Sequence, residues 1–180
     1  MSETRARALV CLTGFMGSGK STVARLLARQ VGWQHVDLDL RIVEAAHQSI
    51  PEIFSKHGEA EFRKIENEQL ARIIGETTES RKPRVVSLGG GTVAQPQNQQ
   101  LLTQESIAMI WLHCPVPDLL RRIAHIQDRP LFRDEESFRK LYAERLAFYE
   151  KAEYRVESDV EPLRVVEQIL ALGIFPKVNS

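Results

Sequence analysis

Eight residues, Gly14-Phe-Met-Gly-Ser-Gly19-Lys20-Ser21, set Gly14, Gly19, Lys20 and Ser21 at the spacing GxxxxGK[ST], with a third glycine at Gly17. Glycines let a backbone curl with its N–H groups pointing inward, so such a loop forms a nest for phosphate oxygens at a helix N-terminus. Lys20 can then reach the β- and γ-phosphates of a nucleotide, and the Ser21 hydroxyl can ligate Mg²⁺. Gly17, Ser18, Gly19, Lys20, Ser21 and Thr22 are the expected phosphate contacts. An apolar strand-like run precedes the loop and an amphipathic stretch with Val23, Leu26 and Leu27 follows it, which is the context the motif requires. The signal is strong for nucleotide and silent on the acceptor.

A second group of reactive residues is His35-Val-Asp37-Leu-Asp39. No Asp stands three residues before any of the ten glycines and no Asn-Lys pair exists, so the switch and base-reading motifs of a GTPase are missing. A motor or AAA-type ATPase would have a later apolar strand ending in acid, whereas the later runs here end in Leu88-Gly89 and His113-Cys114. In an open α/β sheet, ligands lie at the carboxyl ends of strands, which is where Asp37 and Asp39 fall. Period-two alternation points both the same way if the strand persists that far. One could serve the metal through water while the other accepts the proton of an attacking hydroxyl. Alternatively, one of them only caps the next helix.

The elements that must position these groups alternate between short apolar runs and amphipathic stretches, as in a parallel sheet with crossover helices. Strands are expected near Ala8–Thr13, Gln34–Asp37, Arg84–Leu88, Ile107–His113 and Tyr154–Glu157. Helices are expected over Lys20–Gln30, Leu40–Ala46, Glu59–Gly75, Pro117–His125, Glu135–Lys151 and Pro162–Leu172. Ser49-Ile-Pro-Glu52 reads as a helix start, with a Ser cap, Pro in the first turn and Glu closing a capping box. Thr77–Pro83 reads as a polar loop, and Ile126–Asp134 as an Arg- and Asp-rich segment placed where a flap would serve.

Composition sets bounds on the rest. A chain of 180 residues with 43% hydrophobic and 27% charged residues suits one compact soluble domain. Lys+Arg and Asp+Glu number 24 each, a balance that argues against a general nucleic-acid binder. The two cysteines, Cys11 and Cys114, sit in apolar runs and read as buried, inert thiols suited to a reducing compartment. No apolar run approaches a membrane span or a secretory leader, so the expected location is the cytoplasm.

Four further stretches complete a pattern: GEAEFRKIE at Gly58–Glu66, SLGGGTV at Ser87–Val93, DRPL at Asp128–Leu131 and RLAFY at Arg145–Tyr149. Together with GFMGSGKST and the paired acids, in this order and spacing, they make the sequence resemble the shikimate kinase family over nearly the whole chain. The resemblance implies a three-layer α/β/α fold of the P-loop NTPase type, with a five-stranded parallel sheet and a flexible lid, like that of nucleoside monophosphate kinases. It implies one domain over residues 1–180, with an acceptor segment at about 38–66 and a lid at about 125–136. The implied reaction is ATP-dependent phosphorylation of the shikimate 3-hydroxyl with Mg²⁺, on the route to chorismate and the aromatic amino acids. It further implies a cytoplasmic monomer with small-molecule partners and no nucleic-acid or membrane partner.

Shikimate carries one carboxylate and three hydroxyls on a cyclohexene ring, and the residues fit that chemistry. Arg63 and Arg145 match the family's carboxylate-binding positions, and a guanidinium fork is the apt partner for a carboxylate. Glu66, three residues on from Arg63 along a helix, can hold that guanidinium in place. Gly89, Gly90 and Gly91 follow an apolar strand and let a ligand approach the backbone; in the family this triplet contacts the acceptor. Phe54 and Phe62, with Pro130 and Leu131, match the apolar walls of the ring site. By the same resemblance Asp39, Lys20 and Arg129 are catalytic, with Arg133 an alternative to Arg129, and Ser21 and Asp37 serve the metal. Arg122 and Pro162 match the positions that sandwich adenine. The family commonly has Pro where Ala147 stands, but Ala sustains a helix, so Arg145 can still be presented. The residues alone leave two rivals. One is a kinase for a related acid such as gluconate or an aminated shikimate, although gluconate kinases lack this triple glycine with Phe-Arg. The other is a non-catalytic nucleotide-binding module, which would be expected to lose Lys20, Asp39 or Arg129.

Overall fold

All five residues of the first strand, β1 (Leu9–Thr13), are buried, which is the mark of a strand covered on both faces. Leu9 and Cys11 join one apolar cluster and Val10 and Leu12 the other, as period-two alternation demands. In the computed structural model, which describes residues 7–124 and 134–175, four more strands flank β1. They are β2 (Gln34–Asp37), β3 (Arg84–Ser87), β4 (Ile107–His113) and β5 (Tyr154–Glu157), in the order β2-β3-β1-β4-β5 and all parallel. The sheet is the five-stranded parallel one expected, within an α/β fold.

Helices α1 (Lys20–Val31) and α7 (Pro162–Leu170) cover one face through Val23, Leu27, Val165 and Ile169. The other face is covered by α2 (Leu38–Ala46), α3 (Ile50–Ser80), α5 (Val116–Ile123) and α6 (Glu135–Tyr149). Ile42, Phe62, Leu70, Leu119, Phe138 and Tyr149 are their core residues. Cys11 and Cys114 are buried free thiols, and burial pushes the Cys11 thiol up to about 12.

Three local expectations are corrected. The second strand ends at Asp37 as expected, but α2 begins at Leu38 rather than Leu40, so the strand does not persist far enough for alternation to align Asp37 with Asp39; Asp39 lies in the first turn of a helix. The helix expected over Glu59–Gly75 is the central part of the longer α3, whose Ser49–Glu52 capping box forms as read. Its regularity breaks only at Gly58, with φ 81° and ψ 176°, a conformation closed to most side chains. Thr77–Pro83 is not all loop, because α3 runs to Ser80. Thr77, Thr78 and Ser80 turn their hydroxyls back onto the carbonyls of Ile73, Ile74 and Glu76, so a polar run stays helical. A short helix, α4 (Pro96–Leu102), and a 3₁₀ turn at Thr92–Ala94 were not expected.

Candidate active site

The phosphate loop leaves β1 and enters α1 with Gly14 at φ 145°, Gly17 at 81° and Gly19 at 90°. A side chain at Gly14 would be doubly excluded, since its Cβ would also lie 2.7 Å from the Leu112 carbonyl oxygen. Gly19 occupies the N-cap of α1 without a side-chain cap, and the first turn holds no acid, so the helix start is dressed for an anion. Lys20 bends over the loop, its Nζ donating to the carbonyls of Gly14 at 2.8 Å and Phe15 at 3.0 Å. Ser21 sits one residue further and donates to Asp37 Oδ2 at 2.7 Å.

Asp37 does two jobs with its two oxygens. Oδ1 caps α2, accepting from the backbone N–H groups of Asp39 and Leu40 at 3.0 and 3.3 Å. Oδ2 accepts from Ser21 and, at 2.9 Å, from the hydroxyl of Ser87 at the end of β3. Ser87 in turn stands 3.2 Å from His35 Nε2, whose pKa is lowered by its burial. Asp37 therefore caps α2 and at the same time hydrogen-bonds Ser21 beside the loop. Asp39, two residues on, lines the same cavity as Asp37.

That cavity has a volume of about 420 Å³ and gathers almost every expected group within the described residues. Gly17, Gly19, Lys20, Ser21 and Thr22 border it from the loop, with Asp37 and Asp39 beside them. Phe54, Phe62, Arg63 and Glu66 come from α3, Gly89 to Gly91 from the turn after β3, Arg122 from α5 and Arg145 from α6. Phe62 is at once core and wall, its ring 4.7 Å from that of the half-buried Phe54. Residues 125–133, which include Arg129, Pro130, Leu131 and Arg133, lie outside the described residues.

The triple glycine is explained by space. None of its three residues has a positive φ, so no unusual backbone conformation requires glycine there. A Cβ on Gly91 would instead meet Arg63 Nη2 at 2.9 Å and Arg145 Nη2 at 3.1 Å. A Cβ on Gly89 would meet Asp39 Oδ1 at 3.1 Å. Two guanidinium groups thus converge on one end of the triplet and a carboxylate faces the other. Tyr149, buried at the end of α6, donates to the Gly90 carbonyl at 2.5 Å and pins the turn to the helix that presents Arg145. Burial raises the pKa of Tyr149, which therefore stays a donor. Ala147 leaves α6 unbroken, as expected.

Glu66 is 1% exposed and accepts from Arg63 Nη1 at 3.0 and 3.2 Å. Sequence reasoning placed this pair but missed Thr92 and Asn98, which bond the same carboxylate, and Ser87 behind Asp37. Met16, Ile50 and Leu88 were likewise missed as cavity walls. Ser87 and Thr92 stand inside a stretch that drew attention for its glycines; Asn98 carries no local signal.

A second cavity of about 690 Å³ shares Gly17, Gly19, Thr22 and Arg122 with the first and extends to Ser158 and Pro162. Arg122 donates in its own plane to the carbonyls of Gly17 at 3.1 Å and Ser158 at 2.7 Å. Those bonds leave the guanidinium faces for stacking, the geometry a planar base requires. Pro162 opens α7 at the far wall. The two cavities meet at the phosphate loop. Among the described residues no helix is long and apolar enough to cross a membrane.

Comparison with known proteins gives the same reading. The family model described as shikimate kinase matches residues 16–172. The shikimate kinase of Geobacter metallireducens is 43% identical over 153 residues, covering 83% of this chain and 82% of that protein. That of Synechococcus elongatus is 40% identical over 172 residues, covering 93% and 86%. Among solved structures, shikimate kinase from Acinetobacter baumannii in complex with shikimate superposes with a TM-score of 0.84 at 32% identity, over 96% of each chain. With a family model spanning most of its length and these identities over most of both chains, the protein belongs to the shikimate kinase family of ATP-using phosphotransferases.

Proposed function

We propose that this chain transfers the γ-phosphoryl group of ATP to the 3-hydroxyl of shikimate, releasing ADP and shikimate 3-phosphate. The observation that carries the reading is the arrangement about the triple glycine: Arg63 and Arg145 meet at Gly91 while Asp39 faces Gly89. A small ring held by its carboxylate between the two guanidiniums presents a hydroxyl toward Asp39 and the phosphate loop. Phe54, Phe62 and Ile50 supply the apolar wall.

Each residue then has one task. The loop N–H groups and Lys20 hold the β- and γ-phosphates and stabilise charge on the transferring group. Asp39 accepts the proton of the attacking hydroxyl as the new O–P bond forms and the bond to the ADP oxygen breaks. Arg122 and Pro162 bracket the adenine. Arg129, with Arg133 the alternative, would bring positive charge from the lid and exclude water.

Ser21 and Asp37 fit Mg²⁺. They are hard oxygen donors side by side at the foot of the loop. Mg²⁺ keeps several waters and phosphate oxygens among its ligands, so it asks few oxygens of the protein. Bound there, Mg²⁺ would neutralise the β- and γ-phosphate charge. The chain is further read as one cytoplasmic, monomeric domain with the acceptor segment at about 38–66 and the lid at about 125–136.

A coupled ADP-release assay with shikimate, gluconate and nucleoside monophosphates tests the acceptor. Shikimate should be strongly preferred. Preference for gluconate or a nucleotide overturns the assignment.

A further inference from the structure

A grip on a carboxylate is only as good as the fixed orientation of its guanidinium, because two parallel N–H···O bonds tolerate little rotation. Arg63 has two partners on its own helix. Glu59 accepts from Nε and Nη2 at 3.2 Å but is largely exposed, so it is a weak anchor. Glu66 is buried, and what holds Glu66 therefore sets Arg63.

Two residues hold it, and a third orients one of them. Thr92, the first residue of the 3₁₀ turn after the triple glycine, donates its hydroxyl to Glu66 Oε1 at 2.7 Å. Asn98, fully buried in α4, donates Nδ2 to Glu66 Oε2 at 3.2 Å and to the Thr92 carbonyl at 3.1 Å. Asn67, one residue beyond Glu66 on α3, donates Nδ2 to Asn98 Oδ1 at 2.9 Å. Only one orientation of the Asn98 amide satisfies this set. Turned over, its oxygen would face a carbonyl and a carboxylate. The amide thus ties α3 to the turn that contains Gly91, and so fixes both sides of the contact between Arg63 and Gly91.

We propose that Asn98 and Thr92 are positioning residues for recognition of the acceptor carboxylate, acting through Glu66 on Arg63. The inference deepens the acceptor reading above and rests on it. Neither residue lines the cavity, so their effect is on geometry.

The test is steady-state kinetics and calorimetric shikimate binding for N98D, T92V and T92S beside the wild type, with thermal unfolding to establish folding. N98D is isosteric but sets an acidic oxygen against Glu66 and the Thr92 carbonyl. The KM for shikimate should rise about ten- to a hundredfold, while the KM for ATP stays within about twofold. T92V should raise the shikimate KM about fivefold, and T92S, which keeps the hydroxyl, should restore it. An unchanged shikimate KM in folded N98D overturns the inference, as does a parallel rise for both substrates. Should N98D fail to fold, the Thr92 pair decides: an unaffected T92V, or a T92S as impaired as T92V, overturns it. Absence of wild-type turnover overturns the acceptor reading and this inference together. An unaffected variant beside an active wild type overturns this inference alone.

Discussion

The two halves of the site are built in opposite ways. The phosphate half is eight consecutive residues whose backbone does the binding, and its glycines are there because φ is positive. The acceptor half draws side chains from α2, α3, α6 and the turn after β3, and its glycines are there because guanidinium and carboxylate groups need their space. The first is a conformation and the second is an assembly. One is secured by local sterics, the other by a layer of hydrogen bonds behind the residues that touch the ligand.

Asp39 stands between the halves, and its replacement gives the largest expected effect. Asp39→Asn keeps the size of the side chain and removes the proton acceptor, so turnover should fall about 10²- to 10⁴-fold. The dissociation constant of ATP, measured by calorimetry, should hold within about twofold if the phosphate loop binds by itself. A large loss of ATP affinity would break the separation of the halves, and normal turnover would refute the assigned role.

The glycines sharpen the contrast next. Gly14→Ala forces an L side chain to φ 145° with its Cβ 2.7 Å from a backbone carbonyl that cannot give way. It should cost about 1–3 kcal/mol in strain alone and weaken ATP binding and stability together. Gly91→Ala adds a methyl at an ordinary φ of −106°, against guanidinium ends that can shift. Its cost should fall on shikimate alone, with KM raised about tenfold and thermal stability nearly unchanged. If the two variants behave alike, the distinction between glycine for conformation and glycine for space is wrong here.

The same contrast explains what the sequence could reveal. A contiguous loop announces itself through spacing, so Gly14 to Thr22 was legible in full, and the five strands followed from their apolar runs. Arg63, Glu66 and Arg145 were found because they sit within family motifs. Nothing in the chain says that Asn98 meets Glu66, since the two are 32 positions apart with a strand between them and only the fold closes the distance. The turn from β2 into α2 stays open between two readings in the sequence for a related reason. Asp37 can end a strand or cap a helix, and its bonds to Ser21 and Ser87 from neighbouring elements accompany the cap that forms.

The smallest expected effect concerns the support of the acceptor wall. Glu52 closes the capping box of α3, the helix that carries Phe54, Phe62 and Arg63. The Ser49 hydroxyl, then the Ser49 backbone N–H, then Lys56 bring its carboxyl down to about 2 from the usual 4.5. Because the folded value is depressed, the cap contributes stability above the ordinary carboxylate range. That contribution is lost as pH falls through the interval between those two values. Carbon-detected NMR titration of the Glu52 carboxyl should show the low value in the wild type. In Ser49→Ala, which removes the hydroxyl but leaves the backbone N–H, it should move part of the way back. The phosphate loop has no such carboxylate at its helix start, so ATP binding by Ser49→Ala should be unaltered while shikimate KM rises by less than about threefold. A Glu52 titration that does not move in Ser49→Ala would show that Lys56 and the backbone, rather than the hydroxyl, set the cap.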